Sequence, residues 1–158
     1  MMAVRWEEFA ASAPEMAEAG LKLVYQFTVG LGYLATVRPD GGPRLHPFCP
    51  VIAAGGLFGL IGPSPKQGDL LRNGQYAIHT FSPQDVDDEF YVTGTARRCD
   101  DAETLATVRE AYLATGATSS DDEIYFEFLI ERALLAVYKS RTPPDNWPPK
   151  YTKWAAPK

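Results

Sequence analysis

The sequence predicts a mainly β (α+β) domain, a small antiparallel barrel of about six strands flanked by helices. Two observations lead there. Short apolar or alternating runs are joined by tight glycine and proline turns, the pattern of hairpins rather than of strand–helix–strand units. Two or three helices then fall between those runs instead of alternating regularly with them, which suits a barrel decorated by helices.

The chain opens with helix. From Trp6 to about Phe27, the apolar positions Phe9, Met16, Leu21, Leu23 and Val24 follow helical spacing loosely, and Pro14 divides the stretch. Proline suits a first helical position, so residues 1–29 are expected to hold two short helices. Tyr33 to Val37 reads as a strand, and Pro39-Asp40-Gly41-Gly42-Pro43 as a tight turn of residues that tolerate positive φ. A second strand is expected from Arg44 to about Ile52. Gly55-Gly56 turns the chain again, and Leu57 to Ile61 completes an antiparallel meander.

Ser64-Pro65-Lys66-Gln67 announces a short helix. Ser64 can cap it, Pro65 is pre-set for its first position, and Gln67 completes a capping box. Leu70 and Leu71 give an apolar edge, and Gly74 is expected to end the helix in a left-handed cap. Gln75 to Phe81 is a fourth strand, Ser82 to Asp88 an acidic turn, and Glu89 to Ala96 a fifth strand continuing to Cys99. A helix from about Ala102 to Thr115 places Leu105, Val108, Tyr112 and Leu113 on one side. Ile124 to Tyr138 forms one long bent strand or two short ones. The tail, residues 142–158, holds Pro143, Pro144, Pro148, Pro149 and Pro157 with Trp147, Tyr151 and Trp154. It is too rich in proline for lasting regular structure and too aromatic for a free linker, so it is expected to pack on the rest. With no repeat and no composition break, residues 1–158 read as a single domain.

A chain of 158 residues, 46% hydrophobic and 22% charged, can bury its own core without staples. Cys49 and Cys99 stand far apart and outside metal spacing, and read as reduced thiols in a cytoplasmic setting, with a disulfide left open. No apolar run approaches the ~20 residues of a membrane span, and the N-terminus lacks signal-peptide form. A net charge of −5 with scattered basic residues argues against nucleic acid. No G-x-S-x-G elbow supports a hydrolase, and His46 and His79 lack a metal-binding spacing, so no metal site is expected. His79, within Ala77-Ile78-His79-Thr80-Phe81, reads as a hydrogen-bonded structural histidine. The acidic groups Asp85-Asp87-Asp88 and Asp121-Asp122-Glu123 read as solvated turns.

The informative feature is the junction from Leu60 to Lys66. A helix N-terminus carries unpaired N–H groups and about half a positive charge. Lysine in the first turn opposes that field, unless a bound phosphate draws on Lys66, the Ser64 hydroxyl and the backbone amides together. A plain capping box with a solvated lysine accounts for the same residues. Arg44, His46 and Phe48 share one strand face and can line a planar anionic ligand, or form an ordinary surface face.

Tyr33 to Pro47, then Gly62-Pro63-Ser64-Pro65-Lys66, Asp69 to Ala77, and Glu89 to Ala96 resemble, in order and spacing, the pyridoxamine 5′-phosphate oxidase-like proteins. The likeness covers about Leu31 to Asp100. It implies a six-stranded antiparallel split β-barrel and a homodimer with FMN held between the subunits. By position, Ser64 and Lys66 would hold the phosphate, with Arg44 near the phosphate or ring. His46, Pro47 and Ile61 would border the isoalloxazine largely through backbone. Glu89 and a tail tryptophan, Trp147 or Trp154, would approach the other subunit's cofactor. Pro65 stands where the oxidases place a basic residue, and the tail lacks their basic substrate grip, which argues against vitamin metabolism. The function implied is hydride transfer between FMN and a small organic substrate. The alternatives are the deazaflavin coenzyme F-420, whose longer anionic tail would call on Lys66, Arg72, Arg97 and Arg98, and a non-enzymatic flavin or haem carrier.

Overall fold

Trp6 and Phe9 start the fold by turning a short N-terminal helix onto the open end of a curled sheet. The structure, a computed structural model, describes residues 2–158. Helix α1 spans Trp6–Ser12 and α2 Pro14–Val24, divided at Pro14 as its fixed φ predicts. Trp6 and Phe9 meet edge to face at 5.3 Å, and both pack against Phe90. No helix is long and apolar enough to cross a membrane among the described residues.

Eight strands follow rather than six: β1 Gly32–Val37, β2 Pro43–Phe48, β3 Val51–Ala53, β4 Gly56–Ile61, β5 Gln75–Thr80, β6 Glu89–Arg98, β7 Ile124–Val137 and β8 Lys150–Ala155. Helix α3 spans Pro65–Arg72 and α4 Ala102–Ala114. The pairing order is β2-β1-β5-β6-β7-β4-β3, all antiparallel, with β8 also on β7. The two ends of that path, β2 and β3, are joined in sequence only by Cys49 and Pro50. The sheet must therefore curl until its edges adjoin, giving a barrel whose two edge strands, β2 and β3, do not pair with each other.

That closure corrects two expectations. The single strand from Arg44 to Ile52 is two strands, because Pro47 and Pro50 withhold the amides a continuous ladder would need. The first strands are two hairpins, β1–β2 and β3–β4, and not a meander. Ala54 at φ +50 and Gly55 at φ +71 form the turn of the second.

Side chains facing inward build the main core: Leu34, Phe48, Ile78, Phe90, Val92, Phe126, Phe128 and Ile130 are all nearly or fully buried. Each contributes roughly 1.5–3 kcal/mol relative to exposure. Gly94 sits at the register shift in the β6–β7 pairing, where a Cβ would fall 1.9 Å from the Leu129 carbonyl oxygen. Only glycine permits that approach. A second core, Val51, Phe58, Leu60, Val108 and Tyr112, lies on the outer side of β3 and β4 under α4.

The tail departs from expectation. It packs, as its aromatics require, but does so as regular structure: β8 pairs with Arg132 to Val137 of β7. Trp154 stacks edge on to Phe9 at 5.0 Å and donates its indole N–H to Ser12 Oγ at 3.0 Å. Gly74 also departs, since its φ is not positive and Asn73 ends α3 in extended geometry. Glycine is required there by crowding: a Cβ would lie 2.5 Å from the Ala96 carbonyl oxygen.

Candidate functional site

The chain leaves β4 at Ile61, turns through Gly62-Pro63-Ser64, and enters α3. Ser64 is extended, at φ −169, and its Oγ accepts the Gln67 amide at 3.3 Å, as a cap should. The hydroxyl proton goes to the Gly62 carbonyl at 3.0 Å, so Ser64 would have to rotate to donate to a ligand. Gln67 does not close a capping box; its side chain donates to the Ile61 carbonyl at 2.8 Å and ties the helix back to β4. Among the described residues, the Ser64 and Lys66 amides donate to nothing in the chain, and no acid lies in the first turn. Lys66 is half-buried without an acidic partner. A Cβ at Gly62 or Gly68 would meet nothing within 4 Å, so the helix head opens onto free space. The arrangement is a set of uncommitted donors at the positive pole of a helix dipole.

Behind that head lies an anchor that sequence reasoning missed. Asp69, 1% exposed, accepts Thr36 Oγ1 at 2.8 Å, Arg44 Nε at 2.7 Å and Arg72 Nη2 at 3.1 Å. Burial opposes its ionisation, but hydrogen bonds from Arg44, Thr36 and Arg72 outweigh it and hold the carboxyl at about 2. Arg44 is thus a brace between β2 and α3. Its signal in the sequence was an acid beside Leu70 on the buried side of a short helix, a position that demands a cation.

On β2, Arg44, His46 and Phe48 share the inward face, as strand alternation predicts, while Pro47 is exposed on the other. His46 and Pro47 can therefore serve one ring only along the strand's backbone. β2 pairs with β1 alone, so one of its backbone edges is free. The Ile61 side chain is 2% exposed in the core, leaving its backbone at the junction. Next to the junction, burial raises the Cys49 thiol, opposed by a hydrogen bond from Tyr112 and by the charge of Lys66. Burial, then Cys49 and Glu123, push Tyr112 up to about 12. Cys49 and Cys99 are both free thiols. Cys99 lies beside Tyr125 on β7, Leu60 of β4 pairs with Tyr125, and Cys49 precedes β3 beyond that. Three strand spacings, about 14 Å, far exceed disulfide reach.

Glu89 lies elsewhere. Ile61 pairs with Ile124 at one end of β7 and Glu89 with Ala136 near the other. Glu89 receives the Tyr138 hydroxyl at 3.2 Å and faces His79 Nε2 at 3.2 Å, while His79 Nδ1 faces the Thr80 carbonyl at 2.6 Å. Both ring nitrogens therefore face acceptors. His79 is hydrogen-bonded, as its sequence context suggested, but its acidic partner was not foreseen. Trp147 is 65% exposed, whereas Trp154 is committed to Phe9 and Ser12. No cluster of three metal-ligating side chains occurs among the described residues.

No family model and no curated protein matches the chain. Solved structures do. A NimC/NimA family protein from Clostridium acetobutylicum superposes with a TM-score of 0.62 at 18% identity, covering 88% of this chain and 91% of that one. A candidate pyridoxamine 5′-phosphate oxidase from Listeria innocua gives 0.59 at 16% identity over 73% and 94%. The fold is the pyridoxamine 5′-phosphate oxidase-like split barrel. A haem-binding protein from Mycobacterium smegmatis shares it, with a TM-score of 0.62 at 16% identity over 84% of this chain and 55% of that one. In this split barrel, strand, turn and helix stand in the order expected from Leu31 to Asp100, and the two extra strands are the short β3 and the tail's β8.

Proposed function

We propose that this split barrel is an FMN-dependent oxidoreductase, which grips the cofactor's phosphate at the head of α3 and works as a homodimer with the cofactor between subunits. The observation that carries the reading is the α3 head: an unpaired lysine and two unpartnered amides lie within its first turn, which holds no acid. That donor set fits a phosphate monoester. Bound FMN would supply hydride chemistry at its ring, exchanged with a small organic substrate. Lys66 and the Ser64 and Lys66 amides would hold the phosphate, and the Arg44–Asp69 pair would keep α3 in place. His46, Pro47 and Ile61 would border the ring through backbone.

The helix head faces open space, so a second surface is needed to enclose a ring there. Glu89 pairs near the opposite end of β7 from the residue that pairs with Ile61, so its own chain does not set it beside the α3 head. A partner subunit's Glu89 and Trp147 would meet that need, with Trp147 favoured over the committed Trp154.

FMN is favoured over coenzyme F-420 because the longer anionic tail needs further free cations. Arg72 is held by Asp69 and the Val37 carbonyl, Arg97 by Glu127 and Arg98 by Asp100, leaving only Lys66 of the four free. A haem reading loses His79, whose two nitrogens are both engaged. The test is an absorbance spectrum of the purified protein followed by titration with FMN. Saturable binding at one FMN per subunit, lost on dilution to monomer, is expected; a protein that ignores FMN sinks the reading.

A further inference from the structure

The barrel's outer face bears a second set of uncommitted cations, on β7 and β8. Along this face Tyr33, His79, Tyr91, Leu134 and Lys153 are register partners on β1, β5, β6, β7 and β8. In the adjoining row Arg132 pairs with Thr93 and Ala155. Over β6, β7 and β8 the face hollows into a cavity of about 400 Å³, walled by Tyr91, Leu134 and Ala155 and rimmed by Arg132 and Lys153. Its lining contains no carboxylate.

Among the described residues, neither cation has an acid within 4.0 Å, in a chain of net charge −5. Arg132 and Lys153 are diagonal cross-strand neighbours, with Cβ atoms roughly 7–8 Å apart, so they repel one another. The nearby acids are already engaged: Glu89 faces His79 and accepts from Tyr138, and Glu131 accepts from Thr95. Two like charges left together beside an aromatic wall suit one kind of occupant. A flat apolar body would lie against Tyr91 and Leu134, with its anionic group between guanidinium and ammonium.

We propose that this cavity is a binding site for small planar aromatic anions, carrying a carboxylate or a phosphate. The site uses none of the residues that form the α3 head. It is tested by calorimetric titration of the purified protein with 2-naphthoate and its uncharged isostere 2-naphthamide, and of Lys66→Ala, in which the α3 head does not compete, with 2-naphthyl phosphate. Saturable binding of at least one anion is expected, with the amide about tenfold weaker or worse. The stronger of the two anions identifies the group the site prefers. Arg132→Gln and Lys153→Gln, both exposed and on different strands, should each weaken 2-naphthoate by about tenfold, while Lys66→Ala leaves 2-naphthoate binding unchanged. Equal binding of anion and amide, absence of saturable binding, or wild-type affinity in both cation variants overturns the proposal. So does loss of binding in Lys66→Ala, which would move the anion to α3. Because Lys66 reports on the phosphate reading and Arg132 and Lys153 on this one, either can fail alone.

Discussion

Helices α3 and α4 both enter from the end of a strand and a short turn, and both face the problem of orphan amides at a positive pole. They resolve it in opposite ways. At α4, Asp101 caps the helix, accepting from the Thr104 amide at 2.9 Å and its hydroxyl at 2.7 Å, and Glu103 adds a second negative charge in the first turn. At α3 the cap is the neutral Ser64, the next residue cannot donate, and the first charged side chain is Lys66. Helix α4 answers its dipole from within and needs nothing from outside. Helix α3 adds a positive charge to a positive pole, an arrangement that costs a few tenths of a kcal/mol or more without an anion. The difference separates a helix that answers its dipole from within from one that leaves it unanswered.

The comparison breaks most severely if α3 loses its anchor. Asp69→Asn removes the charge that holds Arg44, Arg72 and Thr36, and should cost about 3 kcal/mol in urea unfolding at neutral pH. Its pH dependence has a definite sign. The folded carboxyl is held at about 2, below the ordinary value of 3.8, so its stabilisation is present at neutral pH. It disappears as pH falls from about 4 toward 2, where protonation catches up with the folded state. Wild type should lose more stability across that window than Asp69→Asn; parallel loss in the two proteins would remove Asp69 from its role.

The second break concerns the ligand alone. Lys66→Ala should weaken FMN binding by about 1.5–3 kcal/mol, read by fluorescence titration, and leave the melting temperature nearly unchanged. Asp101→Ala is the counterpart at α4: a loss of about 1 kcal/mol of stability with FMN affinity intact. If the two variants behaved alike in both measurements, the two helix heads would not differ in kind.

Much of this contrast was readable from local chemistry. Ser64, Pro65 and Lys66 declare their helix within three residues, and the hairpin turn from Pro39 to Pro43 declares itself in the same way, because caps and turns depend on near neighbours. What escaped depends on partners distant in sequence. The salt bridge between Arg44 and Asp69 spans 25 positions, and the Tyr138–Glu89 contact spans 49. No local pattern encodes either. Strand β8 escaped for another reason: its residues are mostly exposed, so no alternation marks them, and its flanking prolines suggest a coil. The break at Pro50 was visible as a proline, but its consequence, two strands at opposite edges of one sheet, follows only from closing the barrel.

The smallest expected effect draws the comparison most sharply, because it asks one substitution to move two quantities in opposite directions. Lys66→Glu gives α3 the kind of first-turn acid that Glu103 gives α4. In the protein without ligand, that charge should interact favourably with the helix dipole and raise stability by about 0.5 kcal/mol, measured by urea unfolding at low salt. The same charge faces any bound phosphate and should remove FMN affinity altogether. A variant more stable and unable to bind is what a helix end kept open for an anion predicts. If Lys66→Glu left both stability and binding unchanged, Lys66 would be a solvated surface residue, and α3 would differ from α4 only in how it is capped.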